Sequence, residues 1–79
     1  MKPYHTLIID AEKAADLPAR ILGVFSRRRL ALERFSFSCP SEEMARVIIE
    51  LKAPDPDVER SVQQIRKLIG VGEVHHIGN

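Results

Sequence analysis

Between Leu17 and Phe37 a helix-like spacing of apolar residues gives way to a strand-like one, and that change of period constrains the fold more than any other feature of the chain. Leu17, Ile21, Val24, Phe25 and Arg28 fall on one face at helical period. Asp16 stands where an N-cap carboxylate would accept the free amides of a first turn, and Pro18 sits just inside the start. Arg27, Arg28 and Arg29 set positive charge against the helix's negative end. The spacing therefore predicts a helix over about Leu17 to Arg29. Beyond it Leu32, Phe35 and Phe37 are the bulky apolar residues of a strand over about Ala31 to Ser38. Strict alternation puts Leu32 and Phe35 on opposite faces. A β-bulge near Glu33–Arg34, or an irregular first turn of the strand, restores both to the core side.

The rest of the chain repeats that grammar. Tyr4 to Ile9 reads as a strand with Leu7 and Ile9 on one face, followed by a polar, small-residue loop from Asp10 to Ala15. Cys39 to Glu43 has the turn chemistry of a hairpin. Met44 to Lys52 alternates, with Val47, Ile49 and Leu51 against Arg46, Ile48 and Glu50. Pro54, Asp55, Pro56 and Asp57 open a second helix, with either aspartate as its cap. Its stripe is Val58, Val62, Ile65 and Leu68 or Ile69, and Gly70 stops it. Val71 to Ile77 is a last strand. Strand, helix, strand, strand, helix, strand is the ferredoxin-like βαββαβ order. Right-handed crossovers then place both helices on one face of a four-stranded antiparallel sheet, with the first and third strands central. Each helix has one dry face, which suits this α+β arrangement.

At 79 residues the chain, 1–79, makes one domain. A chain of this length buries about 60–65% of its extended surface, so self-association is a natural source of stability. A net charge of +1 gives no steer toward nucleic acid or a membrane surface. No run approaches the roughly 18 apolar residues of a spanning helix, and the first residues alternate too early for a signal peptide. One cysteine excludes an internal disulfide and fits a reducing, cytoplasmic setting.

No catalytic constellation emerges. His75 and His76 are strand neighbours on opposite faces, so they do not share a metal; His5 can approach one of them, which makes a poor zinc site. Cys39 beside Pro40 has no nearby histidine and reads as a plain thiol. The arginine run is explained by the helix dipole and solvation. The third strand, MARVIIELK, lacks the aromatics on which RNA-recognition modules stack bases. The chain is thus expected to have neither catalytic nor metal-binding residues. The sheet face away from the helices carries Ile8, Ile48, Arg46 and Glu50, a mixed surface. The second strand, Glu33, Arg34, Phe35, Ser36 and Phe37, is a free edge able to pair with its copy into an eight-stranded, twofold dimer.

The stretch LPARILGVFSRRRLALERFSF, with a hairpin and VIIEL after it, resembles the ACT regulatory domain. More narrowly it is similar to the small subunit of acetolactate synthase (acetohydroxyacid synthase). Arg20 and the run Gly23-Val24-Phe25-Ser26-Arg27-Arg28 carry the likeness, with Leu32 and Phe35 after it. Gln64 to Val71 followed by Val74 matches the family's passage from helix to last strand. The resemblance runs over Thr6 to Ile77. It implies a non-catalytic subunit that binds and activates a large subunit carrying thiamine diphosphate, magnesium and FAD, with no cofactor in this chain. The large subunit joins pyruvate to a second 2-keto acid on the way to branched-chain amino acids.

In valine-sensitive members an effector sits at the dimer interface, against the loop that opens the first helix. Carried onto this chain, that position is Ala15, Asp16 and Leu17, with Ala31 after the helix. Here the family's pattern is broken. Lys13 replaces an asparagine, Ala15-Asp16 replaces Pro-Gly, and Ala31 replaces a second asparagine. Glycine lets backbone amides approach a carboxylate, whereas Asp16 sets a like charge there. Valine feedback is accordingly expected to be weak or absent. The alternative expectation is a free-standing dimeric sensor that binds an amino acid and regulates some other enzyme.

Overall fold

A computed structural model describes residues 3–78; Met1, Lys2 and Asn79, which the single-domain assignment also spans, lie outside the described residues. The elements run β1 (Tyr4–Glu12), α1 (Leu17–Arg27), β2 (Arg34–Ser38), β3 (Met44–Lys52), α2 (Asp55–Arg66) and β4 (Val71–Gly78). The sheet order is β2-β3-β1-β4, all neighbours antiparallel, so β1 and β3 are central as the crossovers require. Leu7, Ile9, Val47, Ile49 and Leu51 from the sheet meet Leu17, Ile21, Val24, Phe25, Val58, Val62 and Ile65 from the helices in one core. Both helices therefore cover one face. The strand parity is the one read from the sequence.

The boundaries differ at several points. β1 continues three residues past Ile9, because Ala11 is small enough to be buried while Asp10 and Glu12 point away. Glu12 N–H reaches Gly70 O at 2.8 Å and Lys13 N–H reaches Glu43 O at 2.8 Å, so the first half of the expected loop is sheet. The pairing of β1 with β4 shifts register between Asp10 and Ala11. The bulge expected near Glu33–Arg34 is not there: β2 pairs with β3 in unbroken register from Arg34–Glu50 to Ser38–Arg46. Leu32 reaches the core instead from irregular chain ahead of β2.

Asp16 precedes α1, but its side chain caps nothing. Its backbone is already helical, at φ −91° and ψ −1°, and its carboxylate turns forward to Arg20 Nε at 3.1 Å. Neither aspartate caps α2: Pro54 occupies the cap, and Asp55 and Asp57 lie in the first turn, where their charge still complements the dipole. The stripe of α2 continues to half-buried Leu68, while Ile69 is 87% exposed. Phe37, expected in the core, is 40% exposed because β2 overhangs the helix layer at the sheet's edge.

The end of α1 explains why the arginine run is not wholly helical. Arg28 is the cap and Arg29 adopts φ +56°. Arg29 N–H bonds Ser26 O at 3.0 Å and Leu30 N–H bonds Phe25 O at 3.0 Å. This pair of bonds is the Schellman stop, completed by packing of Leu30 against the core. Glycine is the usual residue at the left-handed position, since a side chain there costs about 1–2 kcal/mol. Arg29→Gly is expected to raise the urea midpoint by the equivalent of about 0.5–1 kcal/mol, the strain relief less the added freedom of the unfolded chain.

Candidate regulatory interface

Besides its open face, the sheet has two outer strands, β2 and β4. β2 has β3 on one side and no strand on the other. Glu33 and Arg34 are exposed, Phe35 and Ser36 half-buried, and Ser38 exposed. Glu33 N–H extends the pairing with β3 by one bond, reaching Glu50 O at 2.8 Å. Beside the edge lies a cleft of about 310 Å³ between α1 and β2, lined by Leu22, Phe25, Leu30, Leu32 and Phe35 among others. The sequence pattern did not reveal it. Leu22 is off the helical stripe, and Leu30 and Leu32 belong to no regular element. An apolar residue on the wrong side of a helix, beside a strand edge, was the available signal.

The four effector-site candidates are not brought together within one chain. Ala15 and Asp16 are exposed at the opening of α1, and Leu17 is fully buried with its N–H bonded to Ala14 O at 3.2 Å, so it offers a ligand nothing. Ala31 is exposed beyond the other end of a helix of 11 residues, about 16 Å away along its axis. Near Asp16 a second cleft, of about 400 Å³, is lined by Ala19, Arg20, Gly23, Arg27 and Leu68. Arg20 faces two ways there, donating from Nη1 to Ile69 O at 2.9 Å while Nε meets Asp16. Asp16 is thus partly neutralised by its own helix.

The open sheet face is organised in cross-strand rows. Ser36, Ile48, Ile8 and His75 form one, and Ser38, Arg46, Asp10 and Glu73 the next. Arg46 Nε donates to Asp10 Oδ1 at 2.7 Å, and this bond with its charge holds the guanidinium pKa above its ordinary value. His75 Nε2 meets Glu73 Oε2 at 3.0 Å. Asp10, Glu73 and His75 place one polar atom each within 4.8 Å of one another. Arg46 is paired with Asp10, and His75 lies at hydrogen-bond distance from Glu73. Tyr4, on the same face, has its phenol pKa raised, chiefly by a hydrogen bond to Glu50. Cys39 is exposed.

His5, by contrast, faces the core side and is buried, and it reaches His76 as the strand order allows: Nδ1 to Nε2 is 2.9 Å. Among the described residues no helix is long and apolar enough to cross a membrane.

Comparison with known proteins agrees with this geometry. The family model described as AHAS small subunit-like ACT domain matches residues 19–73. A curated relative, the acetolactate synthase small subunit of Mycobacterium leprae, is 32% identical over 73 residues, covering 91% of this chain and 43% of the relative. That of Mycolicibacterium smegmatis is 30% identical over 70 residues, covering 87% and 41%. The chain spans about two-fifths of the length of these relatives. Among solved structures, the ACT domain from GTP pyrophosphokinase of Chlorobium tepidum superposes with a TM-score of 0.85 at 14% identity, over 98% of this chain and 100% of that one. The acetolactate synthase small subunit of Thermotoga maritima gives 0.79 at 19% identity, over 92% and 46%. At such identities these two structures establish the fold alone.

Proposed function

The chain belongs to the AHAS (acetohydroxyacid, or acetolactate, synthase) small subunit-like ACT family, and from that premise we propose that it is a non-catalytic regulatory subunit that binds and activates a catalytic large subunit of acetolactate synthase. The match of the family model to residues 19–73 carries this reading. The free β2 edge agrees with action by protein contact. On this reading the chain works as a homodimer in the cytoplasm, joined through Glu33 to Phe37. Thiamine diphosphate, magnesium and FAD belong to the partner, and the chemistry is the partner's.

Valine feedback is weak or absent in this proposal. The loop that would hold an amino-acid carboxylate presents Asp16, and its pairing with Arg20 softens the repulsion without supplying the close backbone approach that glycine gives. Leu17, fully buried, adds no side chain to a ligand.

One experiment tests both statements. Mixing the chain with the cognate large subunit is expected to raise acetolactate output several-fold, and millimolar valine added to the same mixture is expected to change that output by less than about twofold. No rise on mixing would sink the subunit assignment and leave the free-standing amino-acid sensor as the better account. A rise that micromolar valine abolishes would keep the assignment and remove the argument from Asp16.

A further inference from the structure

His5 is the one buried histidine among the described residues, and the proposed function makes no use of it. It lies where three elements meet: the start of β1, the end of β4 and the first turn of α2. Its Nε2 faces two groups that only accept, Ala53 O at 3.2 Å and the Asp55 carboxylate at 3.1 Å. A proton on Nε2 donates to Ala53 O with the Asp55 carboxylate close by, so in the neutral ring Nδ1 is bare. Nδ1 in turn faces His76 Nε2 at 2.9 Å, a distance that requires a single hydrogen between them. His76 therefore donates from Nε2, and its own Nδ1 is the bare nitrogen. Gly78 stands opposite His5 across the strands, where a Cβ would lie 3.8 Å from His5 Nδ1.

We propose that His5 and His76 form a clasp with room for one added proton, which binds β4 to β1 and α2 at neutral pH and loosens that corner as the solution becomes acid. The first proton enters at His76 Nδ1 and leaves the bond between the rings intact. A second would put hydrogens on both facing nitrogens at 2.9 Å and drive the rings apart.

The surroundings set the direction of the effect. Asp55, Glu59 and Arg66 of α2 are the charged groups facing the pair, while Tyr4, Glu73 and His75 lie on the opposite face of their strands. The first two favour the charged ring of His76 and Arg66 opposes it. His76 as a whole is exposed, but partial desolvation of its ring, and then the neighbouring His5, prevail, so its pKa lies below its ordinary value. The folded chain consequently binds fewer protons than the unfolded chain over that interval. Stability is full above the ordinary histidine range, about pH 7, and falls as pH drops through it toward the lowered value. β4 is the sheet's other outer strand, so its end is held on one side only and is what the clasp releases.

The test compares thermal unfolding of the full chain at pH 7.5 and pH 5 with that of His76→Gln. Glutamine still donates to His5 Nδ1 but does not titrate. The acid-induced fall in Tm is expected to be measurably smaller in His76→Gln than in the parent chain. In parallel, imidazole ¹⁵N shifts at neutral pH are expected to show the proton of His5 on Nε2 and that of His76 on Nε2. An equal fall in Tm in both proteins, or a His5 ring carrying its proton on Nδ1, would overturn the clasp. Both readouts use the isolated chain, so they stand or fall independently of any synthase partner.

Discussion

Replacing Phe25 by alanine is expected to remove about 3–5 kcal/mol of folding stability, the range for truncating a buried aromatic side chain. Phe25 is 1% exposed and heads the fully buried side chains by volume. Stability scales at about 0.05–0.15 kcal/mol per residue, which for this length gives roughly 4–12 kcal/mol in all. The single substitution thus takes between a quarter and all of the total. The loss exceeds simple transfer of the ring to water, because a cavity is left in the cluster onto which Leu30, at the helix stop, packs. A cavity at Phe25 leaves Leu30 without a seat and loosens the turn that delivers Leu32 and β2. Urea denaturation followed by circular dichroism measures the loss, with Ile69→Ala as the reference. Ile69 is 87% exposed, and its truncation is expected to stay within about 0.5 kcal/mol. A Phe25→Ala protein within 1 kcal/mol of the parent would mean that α1 does not pack on the sheet as described.

That coupling also explains what could be read from the sequence and what could not. The parity of β1 and β3 was legible because both strands are central and bury one face against the helices. Leu7, Ile9, Val47, Ile49 and Leu51 accordingly have no exposed surface. The α1 stripe was legible for the same reason. The path from α1 into β2 was not, because it depends on Arg29 adopting φ +56°, a conformation that arginine does not advertise. Once that residue turns the chain, Leu32 needs no bulge to reach the core. Caps were misread because capping competes with other partners: Arg20, one helical turn on, outbids the backbone for Asp16. The edge of the candidate interface followed from topology alone. The cleft beside it did not, since Leu22, Leu30 and Leu32 come together only in three dimensions.

Phe37→Glu is expected to abolish self-association while leaving the fold intact, and with it any activation that requires a dimer. β2 is five residues long and Ser36 is its middle residue. If β2 pairs antiparallel with its copy about a twofold axis at Ser36, Phe35 of each chain lies opposite Phe37 of the other. The four rings then form one apolar strip on the helix side of an eight-stranded sheet. In the single chain Phe37 is 40% exposed, so a carboxylate there is tolerated in water and costs the monomer about 1 kcal/mol or less. In the paired edge the same carboxylate lies against a phenyl ring with a second carboxylate close by, and two aromatic contacts are lost. A weakening of Kd by about 100-fold, near 2.7 kcal/mol, is the expected scale. Sedimentation equilibrium reads the association, and far-ultraviolet circular dichroism confirms that the variant folds. A folded variant that still dimerises with the parent's Kd would move the contact elsewhere, and the open sheet face around Ile8 and Ile48 would be the surface left to hold two chains together. The choice between these surfaces matters for mechanism. An edge pairing leaves the open face of both chains on one side of a continuous sheet, available to a partner, whereas a face-to-face pairing would bury it.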